Sequence, residues 1–221
     1  MAADLRRQML VPPGDRDFDS RFGTDTQGEI PAEHLAHSQR VAPQSLDYEP
    51  TDPAAFRAMI NRLPIDPRDF TFVDLGSGKG RTLLLATLVG FRRIIGVEAS
   101  PLLHRIATEN LKAWARAEMP ARGVRLLLQD AAAYTPPPDP CVIFLFNPFH
   151  ARVMGRVLRG LKLSLQAISR PLWLVYYNPQ LTEQIERERW LERVAAEAGY
   201  QQGDFAIWRA RTGADQSPDQ S

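Results

Sequence analysis

The chain has one cysteine, Cys141, in 221 residues, so no internal disulfide can form. It also lacks an excess of either charge. The 27 basic and 26 acidic side chains leave a formal charge of +1, which removes any global electrostatic case for nucleic acid or an anionic membrane as partner. Long apolar runs are missing too: no window reaches the roughly 18 apolar residues of a membrane span. Arg6 and Arg7 near the N-terminus are not followed by the apolar stretch of a targeting signal. The four histidines, His34, His37, His104 and His150, sit at no zinc-ligand spacing, so no metal is expected. These absences point to a soluble, cytoplasmic protein in a reducing compartment. With 44% hydrophobic and 24% charged residues, the chain has enough apolar side chains for one well-buried core. Cys141, flanked by Pro140 and an apolar run, reads as a small core hydrophobe.

The residues that are present divide the chain into three. Residues 1–53, rich in Asp, Arg, Gln, Gly and Pro with little apolar periodicity, read as an N-terminal arm or lid with at most short helical pieces. Residues 54–211 alternate short β-rich runs with helical segments, and the small, polar residues 212–221 read as a flexible tail. A helix is predicted after Thr51-Asp52-Pro53, with Phe56, Met59, Ile60 and Leu63 on one face until Pro64 stops it. Strands are predicted over 70–75, 93–98, 124–128, 141–146, 172–177 and 205–208, with helices over 101–118 and 153–168. The segment 190–194 is either an antiparallel partner for the last strand or a helix end. This alternation predicts a three-layer α/β sandwich with a mainly parallel sheet.

Val73-Asp74-Leu75-Gly76-Ser77-Gly78-Lys79-Gly80-Arg81 places three glycines at alternate positions where a strand turns into a helix. Glycine there lets backbone approach a ligand without a Cβ in the way. A dinucleotide fingerprint requires its third Gly or Ala where this chain has Arg81, and a P-loop requires four residues between its glycines; neither template fits. Asp74, at the strand's carboxyl end, would repel a pyrophosphate and welcome a cation. S-adenosylmethionine, with its sulfonium and α-ammonium, suits such a site. Glu98 ends the next strand at the same sheet edge, where a carboxylate can accept hydrogen bonds from both ribose hydroxyls, and Asp130 follows the third strand on the adenine side.

Asp74 to Gly80 resembles motif I of class I S-adenosylmethionine-dependent methyltransferases, and Glu98 matches their acidic residue after the second strand. The similarity covers residues 70–177 and implies a Rossmann-like α/β/α sandwich closed by a C-terminal antiparallel strand. It assigns Asp74, Gly76, Ser77, Gly78 and Gly80 to the methionine end, Glu98 to the ribose, and Asp130 with Ala131 to the adenine. Tyr48-Glu49-Pro50-Thr51 is similar to a segment of Dot1-like protein lysine methyltransferases, whose glycine loops also read Asp-Leu-Gly-Ser-Gly. That likeness places Tyr48 and Thr51 against the cofactor or along the acceptor channel, the alternative being a turn and helix cap.

On the acceptor side, the fourth strand runs into Asn147-Pro148-Phe149-His150. Here an amide can accept a hydrogen bond from an amine, Pro148 restricts the backbone, and Phe149 packs near the methyl group. The motif resembles the Asn-Pro-Pro-aromatic signature of amino-methylating enzymes, except that Phe149 replaces the second proline. A turn after a strand is the alternative here too, and the expected role of Asn178-Pro179. Arg152, Arg156, Arg159 and Lys162 recur at helical spacing and form a basic edge, either a solvated face or a guide for an acidic protein or a nucleic acid. The resulting expectation is methyl transfer to a nitrogen acceptor: first a protein lysine, otherwise a small-molecule amine or a nucleic-acid base. A cofactor-binding protein without turnover is the non-enzymatic rival. The sequence carries no signal for oligomeric state.

Overall fold

The computed structural model describes residues 18–31, 48–197 and 204–211; the tail from residue 212 and His34 and His37 lie outside them. A short helix α1, Phe18–Phe22, precedes α2, Pro53–Asn61. The main unit then runs β1 (Thr71–Leu75), α3 (Arg81–Val89), β2 (Arg93–Glu98), α4 (Pro101–Arg116), β3 (Val124–Leu128), β4 (Cys141–Phe146), α5 (Ala151–Ala167), β5 (Leu172–Tyr177), α6 (Thr182–Glu186), β6 (Leu191–Glu197) and β7 (Phe205–Ala210). Short 3-10 turns at Pro67–Asp69 and Ala131–Ala133 precede β1 and β4. The seven strands lie in the order β3-β2-β1-β4-β5-β7-β6. The first five are parallel, and β7 enters antiparallel between β5 and β6. Residues 191–194 thus belong to a strand, with Trp190 in the turn ahead of it, and Phe70 precedes β1 because its N–H closes the 3-10 turn onto Pro67.

Local chemistry accounts for the boundaries. Asp52 caps α2 by accepting from Ala54 and Ala55 N–H at 2.8 Å, with Pro53 in the first helical position. Ser100 and Pro101 do the same for α4. β1, β4 and β5 are apolar almost throughout because helices cover both faces. One layer packs Phe56, Phe72, Leu84, Trp114 and Phe144 beneath α2, α3 and α4; the other packs Val73, Ile143, Leu158 and Trp208 beneath α5. Cys141 is fully buried, and burial pushes its thiol up to about 11. The described part of the arm joins the first layer, with Phe18 and Phe22 against Trp114 at ring-centroid distances of 5.8 and 4.5 Å.

Candidate functional site

The crossover between β1 and β4 leaves the carboxyl ends of β1 and β2 facing one edge, and Asp74, Gly76–Gly80 and Glu98 meet there. Backbone bonds hold the glycine loop: Gly76 and Ser77 N–H donate to the Val97 carbonyl at 2.8 and 3.1 Å, and Gly80 N–H donates to the Ser77 carbonyl. Two glycines are required sterically. Gly76 has φ +88, and a Cβ there would strike Pro148; Gly78 has φ +54, and a Cβ there would strike the Tyr48 ring. Pro148 and the arm's Tyr48 therefore both lie against the loop.

Asp74 is 3% exposed and accepts a short hydrogen bond from Thr82 Oγ1. Burial drives its carboxyl up to about 7, with repulsion from Glu98 adding to the rise and the Thr82 bond opposing it. Glu98, 8% exposed, accepts from Gly78 N–H at 2.8 Å through Oε2 and from Ser100 N–H at 2.7 Å through Oε1. Its carboxyl is also raised, by burial, against the pull of those backbone donors. No cation among the described residues contributes to either shift.

The loop's own cations turn to the arm. Lys79 Nζ donates to Asp25 Oδ1 at 2.9 Å and to the Gln27 carbonyl at 2.6 Å, and lies 5.5 Å from the Tyr48 ring centroid. Arg81, 2% exposed, donates from Nε to Thr26 Oγ1 at 2.7 Å and lies over the Phe18 ring. Asp19 shapes the arm by accepting from the Thr24 and Thr26 hydroxyls and from Thr26 and Gln27 N–H at 2.6–2.7 Å. Asn110 joins arm and loop by donating to the Asp25 and Lys79 carbonyls and accepting from Asp25 N–H. Tyr48 pairs with Ile30 in an antiparallel bridge and donates from its hydroxyl to the Thr26 carbonyl at 2.7 Å. Burial and the surrounding carboxylates push that phenol up. Thr51 is buried close by in sequence, just ahead of the α2 cap.

The turn-like composition of Phe22 to Thr26 marks that segment as one to close over the loop, whereas sequence reasoning missed Asp19, Lys79, Arg81 and Asn110 as parts of this assembly. One signal was available: Lys79 and Arg81 flank the start of α3, where cations oppose the helix dipole and need anionic or carbonyl partners.

At the end of β4, Asn147 has φ +40 and its Oδ1 accepts from the Tyr176 hydroxyl at 3.1 Å. Pro148 lies against Gly76, so the Asn-Pro turn and the glycine loop are neighbours. Phe149 is buried in the layer beneath α5. His150 is the exposed N-cap of α5 and makes no side-chain cap bond. Asn178, with φ +48, ends β5 in a turn whose N–H donates to the Asp204 carbonyl. Asp130 is exposed and caps the turn at Ala131–Ala133 by accepting from Ala132 N–H at 2.8 Å, while Ala131 is buried.

No protein-family model matches the chain, and no curated protein matches it in sequence. Solved structures do match. Ribosomal protein L11 methylase of Lactobacillus delbrueckii subsp. bulgaricus superposes with a TM-score of 0.53 at 16% identity, covering 71% of this chain and 77% of that one. The Escherichia coli protein yhhF, assigned as a methyltransferase, gives 0.54 at 11% identity over 84% and 99%. At such identities the likeness defines the fold. The chain has the seven-strand, Rossmann-like fold of class I methyltransferases. Nothing in these comparisons carries the Dot1-like resemblance.

Proposed function

We propose that the chain is an S-adenosylmethionine-dependent methyltransferase acting on a nitrogen acceptor. One observation carries the reading: two buried carboxylates, Asp74 and Glu98, lie at the carboxyl ends of adjacent strands with no cation among the described residues against them, while the nearby Lys79 and Arg81 are engaged with the arm. Such a pair is costly to keep ionised unless a cation arrives. A sulfonium or ammonium ligand fits this set of groups; a pyrophosphate does not. In this reading Asp74 receives the methionine end with the backbone at Gly76, Ser77, Gly78 and Gly80. Glu98, whose oxygens each keep acceptor capacity, takes the ribose, and Asp130 with Ala131 borders the adenine. Tyr48 and Thr51 close the pocket from the arm side.

Bound S-adenosylmethionine, held by Asp74, Glu98 and the glycine loop, would supply an electrophilic methyl group to the lone pair of a deprotonated acceptor nitrogen. The chain's task is orientation and exclusion of water. The Asn147 amide oxygen uses one lone pair for Tyr176 and retains another for an acceptor N–H. Pro148 fixes that turn against the cofactor loop, and Phe149 anchors it in the core. The likeness at Tyr48–Thr51 favours a protein lysine as acceptor, and the charge of α5 favours a nucleic-acid base; the second has an observation in this structure behind it.

Transfer of radiolabelled methyl from S-adenosylmethionine into a cell lysate, followed by separate protease and nuclease digestion, tests activity and acceptor together. Label is expected in macromolecular material. Asn147→Ala is expected to lower kcat by on the order of 10²-fold through misorientation while leaving cofactor affinity intact. Cofactor binding without label transfer to protein, nucleic acid or metabolites contradicts the enzymatic reading.

A further inference from the structure

Between Asp139 and Glu183 the chain holds no acidic residue, although it contains 26 in all, and five basic ones: Arg152, Arg156, Arg159, Lys162 and Arg170. Arg170 is buried and donates to the carbonyls of Ser164 and Ile168. The other four project from α5, all exposed, at spacings of four, three and three residues that keep them on one face. At ~1.5 Å per residue they form a ridge of ~15 Å. Val153, Met154, Val157, Leu158 and Leu161 occupy the opposite, buried face.

Helix stability does not explain this placement. Cations belong at the carboxyl end of a helix dipole and acids at the amino end. Helix α5 has Arg152 and no acid in its first turn, and no basic residue in its last. Among the described residues Arg152, Arg159 and Lys162 have no ion-pair partner, and Arg156 meets only Asp130, at 3.7 Å between two half-exposed side chains. The ridge starts five residues beyond Asn147, at the edge where the acceptor would enter, and Asp130 ties it to the loop after β3.

We propose that this face of α5 is a docking surface for a nucleic-acid strand, held through its phosphodiester backbone. Three of the four cations are arginines, whose planar fork matches phosphate oxygens. The ridge length covers about four phosphates at ~3.4 Å per nucleotide of a stacked strand. A protein partner would need an apolar or aromatic centre, and this ridge offers only Leu163 among its exposed large hydrophobics. The near-neutral total charge is compatible with the surface because the cations are segregated, not because they are many. The surface depends on the methyltransferase reading only for its purpose, which is to bring a base nitrogen to Asn147; binding itself does not depend on it.

Fluorescence anisotropy of a labelled single-stranded RNA titrated with the full chain tests the surface. Affinity is expected to fall with salt at a log–log slope of about −3, since each phosphate contact contributes about −0.7. Arg152→Gln/Arg156→Gln/Arg159→Gln is expected to bring the slope near −1 and to weaken binding at least ~10-fold at low salt. Arg105→Gln/Arg122→Gln, exposed but off the ridge, is expected to bind as the parent does, and DNA of the same sequence to compete as well as unlabelled RNA. Calorimetry with S-adenosylmethionine on the ridge variant shows whether it is folded with its pocket intact. Conversely, Asp74→Ala should lose cofactor and keep RNA, so the two readings fail separately. RNA affinity unchanged in a ridge variant that still binds cofactor overturns the proposal, as does a parent chain that does not bind RNA. Displacement of RNA by polyglutamate more effectively than by DNA overturns it in favour of an acidic protein.

Discussion

At the scale of single residues, the central feature is a carboxylate kept in a place that penalises its charge. Asp74 ionises near 4 in the unfolded chain and near 7 in the folded one. The folded state therefore binds its proton more tightly, and the associated stability is present below pH ~4 and lost as pH rises toward ~7. Glu98 is raised as well and acts in the same direction. A cationic ligand reverses the balance, because it favours the ionised form. Affinity for S-adenosylmethionine is accordingly expected to strengthen as pH rises from about 5.5 to 7, by up to about tenfold per unit, and to level off above. In Asp74→Asn the curve should be weaker and flatter. A parent protein whose affinity is independent of pH across this range would show that Asp74 does not face the cation.

At the scale of elements, the arm and the glycine loop are parts of one assembly. Asp19 satisfies four donors from Thr24, Thr26 and Gln27, and leaving donors such as those of the buried Thr26 without their acceptor costs about 1–3 kcal/mol. Asp19→Ala is expected to destabilise the protein by about that amount in denaturant unfolding and to weaken cofactor binding, because Lys79, Arg81 and Tyr48 lose their common platform. Stability and affinity both equal to the parent's would separate the arm from the pocket. Little of this was legible in the sequence. The strands were legible because β4 and β5 are continuous apolar runs between proline and asparagine, and β1 and β2 are short β-rich runs that carry a carboxylate at or next to their ends; the Asp74–Gly80 turn was legible because its chemistry is contiguous. The arm's contacts join positions more than fifty residues apart, such as Thr26 and Arg81, and no local period reports them. Segment 190–194 stayed ambiguous because its pairing is decided by β7 rather than by its own pattern. Phe149 illustrates a different limit: its position beside Asn147 marks the site, whereas its burial beneath α5 depends on which way the turn swings.

At the scale of the whole molecule, the sheet order brings three groups of residues to one edge. Strands β1 and β2 supply the anionic pair, β4 supplies the amide turn, and α5 leaves that turn carrying the basic ridge. No described helix is long and apolar enough to cross a membrane. The near-zero net charge conceals this division between a buried anionic pair and a cationic flank. Isothermal titration of the full chain with S-adenosylmethionine at about pH 8, above the range in which Asp74 titrates, tests most directly whether Asp74 and Glu98 receive a cation. One saturable site is expected in the parent protein and heat too weak to fit in Asp74→Ala and Glu98→Ala, with both variants folded by circular dichroism. Equal affinity in all three proteins, or no binding by the parent, would contradict that role.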